Sequence, residues 1–182
     1  MGVDINLYTL KYPKEDVQKL YNYAQQLGLT ELVKTINNEE NLCFFSSGQE
    51  FIIPFFGYKE EYSEKEITKE KIKELFNLLK DILSDCENIL YKDLNKRLFQ
   101  TKTQLDDEVV YARKSIKTAI ECNEICDRRL EQYKFRSSEY IENVEYDHVY
   151  PIKFLDVCIV YDHLRIILDR IGDKKIFMKA SF

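Results

Sequence analysis

At 182 residues the chain has the length of one domain, and 45% apolar residues with 13 Tyr and 11 Phe are enough to build a core. Charged residues make up 32% and are mixed in sign, which excludes a largely disordered chain. The formal net charge of −5 disfavours non-specific binding to nucleic acid, and no apolar run is long enough to span a bilayer.

The start of the chain carries no basic segment followed by an apolar one, so a soluble, cytoplasmic protein away from membranes is expected. Its five cysteines (Cys43, Cys86, Cys122, Cys126, Cys158) are odd in number and widely spread. Reduced thiols packed as small hydrophobes fit that pattern better than a disulfide framework.

Val3, Ile5, Leu7 and Thr9 alternate with polar neighbours, predicting a strand over Val3–Leu10. Pro13 opens a helix with Glu15 and Asp16 in its first turn. Val17, Leu20, Tyr21, Ala24 and Leu27 form its apolar face, and Gly28 ends it. Thr30 is placed to cap a short helix, Glu31–Ile36, before a polar loop over Asn37–Asn41.

Leu42–Phe45 and Glu50–Phe56, separated by Ser46-Ser47-Gly48-Gln49, read as a β-hairpin with Pro54 at an edge. Lys59–Glu66 reads as a charged loop, with Ser63 and Glu66 spaced as a capping box. From Thr68 a helix carries Ile72, Leu75, Phe76, Leu79, Ile82, Leu83, Cys86, Ile89 and Leu90 on one wide stripe. Lys92–Thr103 either extends this helix or forms a short one of its own.

Leu105, Val109, Ala112, Ile116, Ala119, Asn123, Cys126, Leu130 and Tyr133 follow in alternating steps of four and three. That is a heptad seam, predicting one long helix over Leu105–Tyr133. Ser137–Tyr150 is irregular and acidic. Pro151 starts a third strong helix, Ile152–Ile171, apolar nearly all round and so expected to be the most buried, with Gly172 closing it. Lys174–Phe182 reads as a final strand.

The expected fold is α+β and helix-dominated. The N-terminal strand, the hairpin and the C-terminal strand (Lys175–Phe182) join in one small antiparallel sheet. Residues 1–182 form a single domain, from which 68–136 projects as a long antiparallel helical hairpin.

Tyr-Asp-His occurs twice, at Tyr146-Asp147-His148 and Tyr161-Asp162-His163. Asp and His ligate divalent metals, so a metal-dependent hydrolase or nuclease is one reading; scattered polar surface is the other. Cys122 and Cys126 sit four apart on one helix face, as zinc ligands can, but packing explains them as well. Asn123 in the seam column of Val109, Ile116 and Leu130 would set the register of a docked helix. Its amide either meets a partner or bonds a neighbouring helix of the same chain. In the first case, replacing Asn123 by Leu is expected to raise stability.

Arg128, Arg129, Lys134 and Arg136 make the end of the long helix basic, which suits either phosphate contact or the helix dipole. Tyr111, Ile120 and Ile125 lie off the seam, on the outer side. There is no Gly-rich phosphate loop, no Gly-x-Ser-x-Gly and no His-Glu-x-x-His, so neither catalysis nor a cofactor is expected. The expectation is a protein partner, or a homodimer, met through Tyr111, Ile120, Asn123, Ile125, Arg128 and Arg129. A structural or regulatory module is the remaining alternative.

The opening Met1-Gly2-Val3-Asp4-Ile5-Asn6-Leu7-Tyr8 resembles small proteins of phages and mobile elements that begin Met-Gly-Leu-Asp-Ile-x-x-Tyr, with Val3 standing for Leu. Phe44-Phe45-Ser46-Ser47-Gly48 looks similar to an aromatic-plus-Gly turn in that group. In size and lack of catalytic motifs the chain is also similar in type to anti-CRISPR inhibitors. That likeness implies a non-catalytic protein that binds and blocks a host defence nuclease in the host cytoplasm, through the nuclease or its guide-bound form. It implies no site residues.

Overall fold

The computed structural model describes residues 2–29, 31, 34–35, 37–98 (the backbone alone over 90–98) and 118–182. The expected Thr30 cap and residues 105–117 of the heptad seam, Tyr111 among them, lie outside the described residues.

The chain is α+β. Four strands, β1 (Asp4–Leu10), β2 (Glu39–Phe45), β3 (Lys65–Ile67) and β4 (Ile176–Ser181), form one antiparallel sheet in the order β2-β1-β4-β3. The helices are α1 (Lys14–Gln26), a single turn α2 (Ile52–Phe55), α3 (Lys69–Leu98), α4 (118–129) and α5 (Phe154–Arg170). Among the described residues no helix is long and apolar enough to cross a membrane.

Period-two alternation in β1 does what the sequence predicts. Ile5 faces Phe45 and Ala180 across its two neighbours, Leu7 faces Cys43 and Met178, and Ile67 faces Ile176. All eight are buried, and this face meets the helices. Each large aliphatic or aromatic member contributes about 1.5–3 kcal/mol by leaving water. On the other face Tyr8 stacks on Phe177 (5.8 Å between ring centres) under the Lys179 ammonium, and its hydroxyl donates to Glu64.

The expected hairpin is not there. Leu42–Phe45 is the end of β2, but Phe51–Phe56 forms the turn of α2, with Phe55 and Phe56 N–H donating to the Phe51 and Ile52 carbonyls. Phe51, Ile52, Ile53, Phe55 and Phe56 are all buried. A strand in this small sheet would bury alternate residues only, whereas a helical turn lodged in the core buries the run. Pro54 is tolerated because its missing N–H falls in the first turn. The fourth strand is β3, from the segment expected to be a loop. Ser63 and Glu66 make no capping box: Ser63 Oγ donates to the Glu60 carbonyl and Glu66 pairs with Lys175. Thr68 caps α3 instead, its Oγ1 accepting the Lys71 N–H at 3.2 Å.

Ile72, Leu75, Leu79, Ile82 and Cys86 of α3 are buried, as are Val157, Val160, Leu164 and Ile167 of α5. The two helices meet through Phe76 stacked on Tyr161, 4.8 Å between ring centres. Burial of α5 is one-sided, contrary to expectation: Leu155 is 67% and Ile166 39% exposed. The seam also shifts. In α4 the buried positions are Thr118, Cys122 and Cys126, while Ala119 is exposed and Asn123 half-buried. Steps of four keep one column inward, where α4 touches both α3 and the start of α5. The helix ends at residue 129, and Tyr133 belongs to a 3-10 turn, Glu131–Tyr133.

Candidate interaction surface

Between Leu10 and Glu39, paired ends of β1 and β2, the chain leaves the sheet and carries α1 outward. Asn38 closes the neck of this excursion. Its Oδ1 accepts the Tyr12 N–H, its Nδ2 donates to the Tyr12 carbonyl, and its own carbonyl accepts the Lys11 N–H, all at 2.9 Å. Lys14 then ties the first turn of α1 to Glu64 and lies over the Phe177 ring. The root of the lobe is therefore fixed to the sheet.

Most of the apolar face of α1 is exposed although its spacing suits a core, with Val17 half-buried and Ala24 buried. Leu20 is 49%, Tyr21 40% and Leu27 55% exposed, and Ala24 is the only buried residue of α1. Tyr12, Tyr23 and Leu29 widen the exposed apolar surface. Asp16 pairs with Lys19 and Gln18 with Asn22 along the polar side. An apolar group of this extent held outside a core marks a contact surface. Sequence periodicity gave no sign of it, because it places a face without saying what the face meets. Tyr12 and Tyr23, large rings off the expected face, were the available signal.

The six residues expected to meet a partner divide. Tyr111 is outside the described residues. Ile120 is half exposed and Arg128 is exposed, with no ion pair to Arg128 among the described residues. Ile125 packs partly against the core. Arg129 is engaged within the fold, donating to Asp85 at 2.6 Å and to Asp81, both on α3. Those hydrogen bonds hold its already high pKa higher still. Asn123 Oδ1 accepts the Phe154 N–H at 2.9 Å, beside Asp127 Oδ1 accepting that of Ile152 at 2.8 Å. The two side chains on α4 thus satisfy amides at the start of α5, which has no cap of its own. Asn123 bonds a neighbouring helix of its own chain.

Cys122 and Cys126 are joined in the core by Cys86 of α3, with Cys158 of α5 near enough to interact with both. Cys86 and Cys122 each direct their thiol to the other's carbonyl at 3.9 Å. Burial pushes Cys86 and Cys122 up to about 12 and Cys126 to about 11, so these thiols stay protonated. Among the described residues no three His, Cys, Asp or Glu side chains are grouped to hold a metal ion.

The two Asp-His pairs work separately. Asp147 accepts from the Ser138 N–H at 3.1 Å and the Ser137 hydroxyl at 3.3 Å, bonds that hold its carboxyl below the usual range. His148 stacks on Tyr150. Asp162 pairs with Arg165, and His163 Nδ1 bonds the Ile159 carbonyl one turn back while the ring lies edge-on to Phe45.

A cleft of about 850 Å³ opens between the loop before α5, the first turn of α5, and the turn after β2. Val3, Gly48, Glu50 and Phe182 line its depth, and His148, Tyr150, Lys153 and Leu155 its mouth. Glu50 is 7% exposed and its carboxylate accepts the Gly48 N–H at 2.6 Å. Asp156 accepts from Gln49 Nε2 at 2.8 Å. Gly48, at φ +105°, is required here: a Cβ would stand 2.6 Å from Asp156 Oδ1. Nothing in the sequence couples Glu50 to Asp156, which meet only through the fold. No protein-family model, no curated protein and no solved structure matches the chain.

Proposed function

We propose that this chain acts without catalysis, by binding another protein through the exposed apolar face of α1. The observation that carries this is the lobe itself: a fixed root and an apolar face largely open to solvent. The partner we propose is a host defence nuclease, blocked by the binding. The opening residues support this through their resemblance to phage and mobile-element proteins. The net charge of −5 also suits the basic surface that a nuclease presents to nucleic acid. The site of action is then the host cytoplasm. In the same reading α3 and the α4 segment form the long hairpin over 68–136, and Ile120 and Arg128 offer a second, smaller contact.

The test is cleavage by a guide-loaded DNA nuclease in the presence of the purified protein. Wild type is expected to suppress cleavage at stoichiometric ratio, and the double variant Leu20→Lys, Tyr23→Lys to restore it with the melting temperature unchanged. Unimpeded cleavage at excess wild type rejects the nuclease. Light scattering that finds two chains per particle, reverting to one in the double variant, assigns the face to a second copy instead.

A further inference from the structure

The cleft beside Glu50 takes no part in partner binding through α1, and its lining has a definite chemistry. Two carboxyl groups, Glu50 and Asp156, stand in it, and among the described residues no Lys, Arg or His pairs with either. An ionised carboxylate accepts from several donors, and the bonds to Glu50 from Gly48 and its own amide, and to Asp156 from Gln49, leave acceptor positions on each. Aromatic rings complete the lining. Phe135 and Phe182 lie 5.6 Å apart inside it, and Tyr150 stacks on His148 at the mouth, 6.0 Å between ring centres. Ring faces carry partial negative charge. Lys153, the one ammonium lining the cleft among the described residues, sits at its exposed rim.

We propose that this cleft binds an organic cation, an alkylammonium or guanidinium group on an apolar stem. The charge is held by the Glu50 and Asp156 carboxylates and the stem lies against Phe135, Phe182 and Tyr150. Carboxylates fix the charge by charge-assisted hydrogen bonds, and the rings add cation–π attraction. A cleft of about 850 Å³ has room for such a molecule or for one extended basic side chain. The same chemistry comes from two sources, a free polyamine or an Arg or Lys side chain of a peptide.

Calorimetric titration of the full chain with spermidine and with acetyl-Leu-Arg-Leu-amide tests this. Saturable binding of at least one probe is expected at millimolar concentration or below; tighter binding of spermidine assigns the free amine, and tighter binding of the peptide a side chain. Glu50→Gln and Asp156→Asn should each weaken it about tenfold. Tyr150→Ala, at a rim position 61% exposed that does not endanger folding, should weaken it about threefold or more. Lys153→Ala should tighten it. Absence of saturation by both probes overturns the proposal, as does undiminished binding by Glu50→Gln or Tyr150→Ala.

Discussion

Glu50 shows what burial does to a single acid in this molecule. Desolvation lifts its carboxyl above the ordinary carboxylate range, against the pull of hydrogen bonds from its own amide and that of Gly48, and Asp156 adds to the lift. A raised acid contributes stability that is present below its unfolded value and lost as pH rises through the folded one. Glu50→Gln keeps an acceptor for Gly48 and removes the charge. It should raise stability by about 1 kcal/mol in alkaline buffer and by nothing in acid. Thermal melts at both pH values measure this, and a lower melting temperature for the variant at both would contradict it. Gly48→Ala should cost about 1–3 kcal/mol, because φ is positive and the new methyl meets Asp156. Chemical denaturation reads it, and a loss under a few tenths of a kcal/mol would mean that Asp156 moves freely aside.

Elements were legible where one face meets one core. β1, β4 and the stripe of α3 follow the period of their apolar residues. The Phe51–Phe56 run lacks a period, and an unbroken apolar run of that length is compatible with strand or helix until its neighbours are known. In α4 heptad spacing puts Asn123 on an inter-helix seam, with a cost that an apolar replacement relieves. Its place beside the uncapped start of α5 reverses the sign. Asn123→Leu should lower stability by about 1 kcal/mol, since the Phe154 N–H loses its acceptor. Asn123→Asp, which keeps that acceptor, should restore most of it. Equilibrium unfolding of the two variants decides, and a stabilised Asn123→Leu would return the residue to a seam role.

Among the described residues the core is shared by one sheet face, α2, α3, α4 and α5, and α1 contributes none of it. The sequence shows that α1 is amphipathic; only the fold shows that Leu20, Tyr21 and Leu27 of its apolar face lie outside the core formed by the described residues. Removing the exposed apolar side chains there should cost the fold little. Surface substitutions away from caps and cores stay within about 0.5 kcal/mol, so Leu20→Lys and Tyr23→Lys should melt with wild type. The measurement that bears most directly on α1 as the working surface places a photo-crosslinking residue at Tyr23 and, as control, at exposed Glu142, in lysate of cells carrying a defence nuclease. Adducts to the nuclease from position 23 and none from position 142, with cleavage falling as the adduct forms, are the expected result. Equal adducts from both positions, or none to a nuclease from position 23, would contradict it.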